Sequence, residues 1–352
     1  MKEQKNWLIF GAGAIGTYIG GSLLLHGHRV TFLEQQSAVK DIRQHGLRLL
    51  FDKDPVHIPA PHLAASIEEA LQSAPFDGGI FAIKSFDTLP VLENSKPHLE
   101  ALPPIICFQN GVENEAILAS FLGTERVIAG TITSAIGRRG AGDIVVERQR
   151  GLGLSSQHPL SVGFAHAFNV AGLNAHLYSR PMDMKWSKML TNLVGNATSA
   201  ILDLTPAQIF NHPDLFNIEI QQLRETLAVM RAQGLRPINL PGVPVKLLAL
   251  AAERMPGRIA RPLLQRAVGR GRGSKMPSFH IDLHSGRGKS EVDTLNGAVV
   301  RIGQQVGVPT PVNQLLNQTL IKLTSGALCV NDFSHQPDAL IRMLSRDQSI
   351  NP

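Results

Sequence analysis

The sequence predicts an α/β protein, in which an N-terminal doubly wound parallel sheet is followed by an all-α C-terminal part. Short apolar runs alternate with helical patterns through the first half of the chain, as is typical of a parallel sheet covered by helices. A glycine-rich turn joins the first run to the first helix. From about Pro181 onward, apolar residues recur at three- and four-residue spacing, which indicates helices.

Eight apolar runs are the predicted strands: 7–10, 29–33, 47–50, 79–83, 105–108, 127–136, 144–147 and 152–154. We expect the last three to extend the sheet at its edge. The clearest helical patterns cover 182–202, 213–233, 292–306 and 311–325. We therefore place a domain boundary between Arg180 and Pro181, which gives one domain over 1–180 and a helical domain over 181–352.

Composition sets limits on the class of protein. The chain has 352 residues, of which 43% are hydrophobic, and this is enough for two domains with separate cores. No apolar run reaches the roughly 20 residues of a membrane helix, and the N-terminus lacks the apolar core of a signal peptide. The two cysteines are too few for a disulfide framework. These features predict a soluble, cytoplasmic protein with no membrane partner.

The net charge of +6 is concentrated in one stretch, the basic segment at about 240–277. This segment carries eight basic residues against one acid, Glu253, so the remainder of the chain is nearly neutral. Zinc-ligand spacing and stacking-aromatic motifs are lacking in the sequence. We therefore predict no nucleic-acid partner and no metal site.

A glycine motif, Gly11-Ala-Gly-Ala-Ile-Gly16, lies between the first predicted strand and helix. Gly11 allows a tight turn, Gly13 lets a pyrophosphate approach the backbone, and Gly16 lets the helix pack on the strand. At Ala14 and Ile15 the helix begins, with free amides and a positive dipole end for the phosphates. The motif in this context predicts a Rossmann-type domain that binds a nicotinamide dinucleotide over residues 1–180.

Glu34 follows the second predicted strand directly. A carboxylate at this position hydrogen-bonds the adenosine ribose hydroxyls and repels a 2′-phosphate, which favours NADH over NADPH. Two alternatives stay open. In the first, Glu34 is only a solvated residue at the end of a strand. In the second, one of the cations Lys40 and Arg43 reaches a 2′-phosphate and so allows NADPH to bind.

Two further loops follow later strands of the same sheet. Lys84 comes after the run 79–83, and Asn110 with Gly111 comes after the run 105–108. Ligands of open α/β sheets bind at the carboxyl ends of the strands. Both loops are therefore expected to face the nicotinamide half of the cofactor, although either one taken alone is compatible with an ordinary turn.

A polar stripe is predicted in the helical part. If residues 183–200 form one helix, Lys188, Asn192, Asn196 and Ser199 fall within an arc of roughly 80°, flanked by apolar residues. Asparagine is a poor helix former, so two asparagines in line with a lysine indicate the wall of a polar pocket. The alternative is an ordinary amphipathic helix.

Another carboxylate, Glu291, begins a helical pattern near the C-terminus. Ser290 is its predicted N-cap, with Asp293 three residues further on as in a capping box. Glu291 then lies in the first turn, where the helix dipole favours a negative charge. Either Glu291 only stabilises the start of the helix electrostatically, or it belongs to the functional site.

Taken together, these segments resemble the ketopantoate reductase family over nearly the whole chain. The matching motifs are GAGAIG, the Lys84 loop, FQNGVE around Asn110, WSKMLTNLVGNATSAI around Lys188, PSFHID from Pro277, SEVDTLNG around Glu291, and GVPTPVN at 307–313.

The resemblance implies reduction of the 2-oxo group of ketopantoate to (R)-pantoate by a nicotinamide hydride, a step of pantothenate synthesis. Lys188 resembles the catalytic lysine, and Glu291 resembles the active-site glutamate that binds the substrate hydroxyl. Lys84 resembles a residue near the cofactor. The substrate-contacting residues of the family are matched by Asn110, Asn192, Asn196 and Ser278. The helical part would then be a substrate domain, and a dimerisation domain if the protein is a homodimer.

The chain departs from the family pattern at three places. Members often carry a basic residue where this chain has Glu34 and Gln35, so the family favours NADPH while Glu34 favours NADH. The spacing from Asp282 to Glu291 is one residue longer, which affects the match of Ser278. The basic segment is longer than the minimal pattern and is a lid, a dimer contact or a solvated insertion.

Other functions stay open at this point. The chain could reduce another branched 2-oxo acid, or it could sense a nicotinamide nucleotide without turnover. A sensor needs no proton donor, so Lys188, the asparagines and Glu291 favour the enzyme.

Overall fold

The computed structural model describes the backbone of residues 4–272 and 275–350, with side chains at all of these except 267–272 and 345–350. The chain divides into two compact units. The first unit contains the residues up to Lys185 together with Leu240–Val243, and the second unit contains Trp186–Asn239 and the residues from Pro244 onward. The predicted boundary beside Pro181 coincides with the first residue of a helix.

The strands all lie in the first unit. Their bounds are β1 Asn6–Phe10, β2 Arg29–Leu33, β3 Leu47–Phe51, β4 Asp54–Ile58, β5 His62–Ala64, β6 Gly78–Phe81, β7 Ile105–Cys107, β8 Val127–Ile132, β9 Ala135–Gly140, β10 Asp143–Arg148, β11 Leu152–Ser155 and β12 Ala175–Tyr178.

The helices occur in both units. In the first unit they are α1 Ala14–Leu25, α2 Gln36–His45, α3 Ile67–Leu71, α4 Thr88–Asn94, α5 Asn114–Leu122 and α6 Ser161–Val170. The unit boundary falls within α7 Pro181–Leu193. The second unit continues with α8 Ala197–Leu202, α9 Pro206–Asn211, α10 Pro213–Ala232, α11 Val245–Glu253, α12 Gly257–Arg272, α13 Ser278–His284, α14 Ala298–Gln305, α15 Pro311–Thr324 and α16 Pro337–Ile350. Short 3₁₀ segments occupy Ser85–Asp87, Lys96–Ala101, Thr124–Arg126 and Val330–Asp332, and a π-helical segment, Asp293–Gly297, precedes α14. Across the described part of the chain, every helix is too short or too polar to cross a bilayer.

The main sheet has eight strands in the order β12-β11-β8-β7-β6-β1-β2-β5. Every neighbouring pair is parallel except β8 with β11. Trp7 of β1 lies opposite Val30 on one side and opposite Gly78 on the other, so the chain winds in both directions from β1. The predicted α/β fold is confirmed, and the switch point beside β1 is where such sheets bind ligands.

A second, separate sheet has four strands in the order β4-β3-β10-β9. The prediction that the run 144–147 extends the main sheet is therefore wrong, because this run lies in β10, where Ile144 is opposite Leu49 of β3. The run 127–136 divides between β8 in the main sheet and β9 in the second sheet. Pairing partners are chosen by contacts between distant parts of the chain, which the local apolar pattern does not contain.

Aromatic packing covers one face of the main sheet. Trp7 is fully buried, and its ring centroid lies 4.8 Å from that of Phe164 and 5.2 Å from that of Phe168. Helix α1 packs close to the sheet, since a Cβ at Gly20 would come within 2.5 Å of Ile9 Cδ1. This packing sets the direction in which α1 leaves the glycine motif.

The second unit is built around α10, which has buried polar as well as apolar side chains. Glu225 accepts hydrogen bonds from the backbone amides of Val312 and Asn313, each at 2.9 Å, and so satisfies the free amides at the start of α15. Burial raises the pKa of Glu225, while these hydrogen bonds act in the opposite direction. The side-chain amide of the buried Asn313 also donates to the Gln222 carbonyl at 3.0 Å.

The basic segment forms α11 and α12 within the described residues. Arg261 Nε donates to the Phe210 carbonyl at 3.2 Å, and a second guanidinium nitrogen donates to the Asn211 carbonyl. These carbonyls end α9 and have no partner within that helix, so Arg261 has a structural role as a C-terminal cap. The side chains of Arg270 and Arg272 lie outside the described residues.

Candidate functional site

The glycine motif forms the turn between β1 and α1. Gly11 has φ +94°, and a Cβ there would lie 2.8 Å from Ile83 Cγ2. A Cβ at Gly16 would lie 1.8 Å from the Gly11 carbonyl oxygen, whereas a Cβ at Gly13 would meet no atom within 4 Å. Protein packing therefore requires Gly11 and Gly16, while the space over Gly13 suits a phosphate that approaches the amides of Ala14 and Ile15. The residues present fit a dinucleotide.

Glu34 lies against this motif. One carboxylate oxygen accepts from the Ala12 amide at 3.2 Å, and the other accepts from the Gln35 amide at 2.7 Å. Each oxygen keeps acceptor capacity for a ribose hydroxyl. Arg43, one of the two cations that could offset a 2′-phosphate, is 3.1 Å from Glu69. Glu34 therefore contacts the glycine motif directly through the Ala12 amide.

The predicted cofactor loops lie at the ends of neighbouring parallel strands. Lys84 follows β6 and begins a 3₁₀ turn, and Asn110 follows β7, where its carbonyl accepts from the Asn114 amide group at 2.6 Å. The buried Gln109 side chain joins the two loops by donating to the Ile83 carbonyl at 3.0 Å and to Thr88 Oγ1 at 2.8 Å. Gln109 therefore positions both loops relative to each other.

Lys185 is a buried cation that sequence analysis missed. Its Nζ is 2.7 Å from Glu115 Oε1 and donates to the carbonyls of Gln109 at 2.8 Å and Gly130 at 3.2 Å. Burial acts to lower the pKa of Lys185, but the Glu115 charge opposes it and the net pKa is raised. The nearby Cys107 is a free, buried cysteine whose pKa is raised by burial. The sequence feature that could have indicated this burial is the position of Lys185 between apolar neighbours.

The predicted single helix over 183–200 is wrong. Helix α7 ends at Leu193, Gly195 has φ +57°, and α8 begins at Ala197. The fully buried Glu219 of α10 stabilises this break by accepting from the Gly195 amide at 2.6 Å and from Thr198 Oγ1 at 2.5 Å. Glycine supplies the left-handed conformation that the turn requires.

The break changes how the predicted polar residues meet. Lys188 and Asn192 lie one turn apart on α7, and both are partly buried. The buried Asn196 side chain donates to the Asn192 carbonyl at 3.0 Å and to Ser278 Oγ at 3.3 Å, and its oxygen accepts from the Phe279 amide at 3.1 Å. Three of the predicted substrate-contacting residues, Asn192, Asn196 and Ser278, are thus brought together, although they do not form one helical stripe.

The segment around Glu291 also differs from its prediction. Ser290 Oγ accepts from the Val292 amide at 3.3 Å, while Asp293 accepts from Arg301 at 3.0 Å rather than completing a capping box. Glu291 is 3% exposed. A charge that only offsets a helix dipole is usually solvated, and buried carboxylates are usually paired. Burial of Glu291 therefore argues against a solvated charge whose only role is to offset the helix dipole.

Comparison with known proteins gives matches to both parts of the chain. Residues 7–156 match the family "Ketopantoate reductase PanE/ApbA", and residues 181–324 match "Ketopantoate reductase PanE/ApbA C terminal". The 2-dehydropantoate 2-reductase of Halobacterium salinarum is 24% identical over 318 residues, which are 88% of this chain and 95% of that protein.

Solved structures of similar fold cover most of the chain. A PanE/ApbA family ketopantoate reductase from Ralstonia eutropha JMP134 superposes with a TM-score of 0.76 at 26% identity, over 91% of this chain and 99% of that one. D-mandelate dehydrogenase in a ternary structure with NADH and anilino(oxo)acetate has a TM-score of 0.75 at 20% identity, over 92% and 99% of the two chains. The second likeness concerns the fold alone.

Proposed function

The chain belongs to the ketopantoate reductase family, and from this premise we propose that it is a 2-dehydropantoate 2-reductase, which reduces the 2-oxo group of ketopantoate to give (R)-pantoate with NAD(P)H. The observation that carries the proposal is the hydrogen-bonded group of Asn192, Asn196 and Ser278, of which Asn192 lies on α7 together with Lys188. Such a group offers amide and hydroxyl partners to a small polar substrate, and the lysine offers a proton.

Separate sets of the chain's own residues would bind the cofactor and assist the chemistry. The dinucleotide supplies the hydride when it is bound, and the glycine motif, Glu34, Lys84 and Asn110 would hold it. The Lys188 ammonium would stabilise the negative charge that develops on the carbonyl oxygen and then give that oxygen a proton.

Substrate orientation is assigned to the remaining residues. Glu291 would accept a hydrogen bond from the substrate hydroxyl, while Asn110, Asn192, Asn196 and Ser278 would contact its polar groups. Orientation of this kind lowers the barrier, because the reactants meet in a reactive geometry.

The proposal is tested by following NADH and NADPH oxidation with the purified protein against a panel of 2-oxo acids. The panel contains ketopantoate, other branched 2-oxo acids and an aromatic 2-oxo acid. We expect the highest kcat/KM with ketopantoate. A higher value with another acid would reassign the substrate, and cofactor binding with no turnover on any acid would support a sensing protein instead.

We expect the wild-type protein to prefer NADH over NADPH in kcat/KM, because Glu34 would place a negative charge near a 2′-phosphate. Electrostatic repulsion between like charges a few ångströms apart costs on the order of 1–4 kcal/mol, and salt reduces this cost. The double variant Glu34→Ser/Gln35→Arg should shift the NADPH/NADH ratio at least about tenfold toward NADPH. Steady-state kinetics at fixed ionic strength measure the ratio.

Glu34→Gln is the matched variant for this prediction. It removes the charge but keeps an oxygen that can accept from the Ala12 amide, so the glycine motif should hold its shape. We expect this variant to reduce the ratio of kcat/KM with NADH to kcat/KM with NADPH, with little change in the affinity for NADH. A clear wild-type preference for NADPH would mean that nearby cations bind the phosphate and that Glu34 does not select the cofactor.

Glu291→Gln should raise KM for the 2-oxo acid by about tenfold or more, because a hydrogen bond to a charged group contributes roughly 1.5–3 kcal/mol. Cofactor affinity and the melting temperature should change little. The control is Asp293→Asn in the same segment, which weakens the contacts with Arg301 and Asn317 and should leave KM unchanged. If Glu291→Gln lowers only the melting temperature, Glu291 has a structural role.

A further inference from the structure

A cluster of histidine and aspartate side chains in the second unit lies outside the residues assigned above. Asp203 Oδ1 is 2.8 Å from His280 Nε2, and ligand atoms of Asp203, His280 and His284 all lie within 4.8 Å of one another. His335 Nε2 is 3.6 Å from the other carboxylate oxygen of Asp203. Imidazole nitrogen and carboxylate oxygen are common ligands of Zn²⁺ and related ions.

The fold brings these side chains together from three elements. His280 and His284 lie one turn apart on α13, with ring centroids separated by 4.2 Å. Asp203 follows α8 with φ +51°, a left-handed conformation that aspartate tolerates better than most residues. The His335 amide donates to the Leu202 carbonyl at 2.8 Å, which holds its turn against the end of α8.

We propose that Asp203, His280 and His284 form a binding site for a divalent transition-metal ion of the Zn²⁺ type, with His335 beside the Asp203 carboxylate. Tetrahedral Zn²⁺ with bonds near 2.0–2.2 Å places its ligand atoms roughly 3.3 Å apart. The ligand atoms of Asp203, His280 and His284 all lie within 4.8 Å of one another, so small side-chain rotations would bring these three groups to this separation. The side chains of Asp203 and His335 are 38% and 64% exposed, which leaves the ion a path from solvent.

A bound ion would cross-link elements that also carry proposed substrate residues. Helix α8 begins after Asn196 and ends before Asp203, while α13 begins at Ser278 and carries both histidines. The ion would therefore tie the far end of α8 to the helix whose first residue receives the Asn196 hydrogen bond. Its effect is to stabilise the second unit, and this effect does not depend on which substrate the protein reduces.

The test uses the full-length, tag-free protein after removal of metal ions with a chelator. Calorimetric titration with ZnCl₂ should show one equivalent bound. Thermal unfolding at a free Zn²⁺ concentration of about 100 times Kd should show a rise in melting temperature of at least about 3 °C. With CoCl₂ in place of zinc, the visible bands of tetrahedral cobalt should appear.

Three variants locate the ion. His280→Gln, His284→Gln and Asp203→Asn should each weaken Zn²⁺ affinity at least tenfold and abolish the cobalt bands. The matched control is His166→Gln, at an exposed histidine on α6 in the first unit, which should bind as the wild type does. His284→Gln decides the question if the variants at the Asp203–His280 pair fail to fold. Absence of a zinc-dependent shift in the wild type, or equal binding by His284→Gln and His166→Gln, would overturn the proposal.

Discussion

We expect Lys188→Ala to lower kcat by about two to four orders of magnitude while the dissociation constant for the cofactor stays nearly unchanged. The variant would lack both the charge that stabilises the developing alkoxide and the proton that completes the reduction. Lys188 lies in the second unit, whereas the glycine motif and Glu34 lie in the first. Single-turnover kinetics and cofactor titration by fluorescence separate the two quantities.

Lys188→Arg tests which property of the side chain matters. Arginine keeps the positive charge but holds its proton more tightly, with a pKa above about 12. We expect this variant to retain much of the substrate affinity with a kcat near that of Lys188→Ala. The matched control is Lys322→Ala at an exposed lysine on α15, which should behave as the wild type. A near-normal kcat in Lys188→Ala would refute the catalytic assignment.

The second large effect concerns stability. We expect Lys185→Met to lower the free energy of unfolding by about 3–5 kcal/mol, because removal of one partner leaves a charge without compensation in the interior. Lys185 is 2% exposed and Glu115 is 17% exposed, so solvent screens the pair little. Urea unfolding followed by circular dichroism measures the change.

Two further variants test whether the loss of stability comes from the buried ion pair. Lys96→Ala breaks an exposed pair with Glu93 and should cost less than about 1 kcal/mol. The double variant Lys185→Met/Glu115→Leu should recover most of the loss, since apolar residues can replace a buried ion pair. A Lys185→Met protein as stable as the wild type would show that the pair contributes nothing.

The pair also predicts a pH dependence. The folded-state pKa of Lys185 is raised, so its contribution to stability is fully present below the unfolded pKa of about 10.4. It is lost as the pH rises through the higher folded value. The stability difference between wild type and Lys185→Met should therefore narrow only at strongly alkaline pH.

The candidate site could be predicted only in part from the sequence. Lys188 and Asn192 are correctly placed on one face of a helix, because four-residue spacing determines their direction. Asn196 reaches the same group by a different route, through a break that Gly195 permits and Glu219 stabilises. A helical wheel carries no information about Glu219, which lies 24 residues from the glycine it contacts.

The sequence by itself determined the local features of this protein, which are the strand–turn–helix around Gly11 and Gly16, the order of elements that makes a doubly wound sheet, and the helical second half. Steric limits on glycine and the periodicity of apolar residues act over a few positions. Only the tertiary structure decided that β10 pairs with β3, that Lys185 is buried against Glu115, and that Asp203 meets His280 across 77 residues. Each of these depends on contacts between distant segments, and such contacts are chosen by the packing of the whole core.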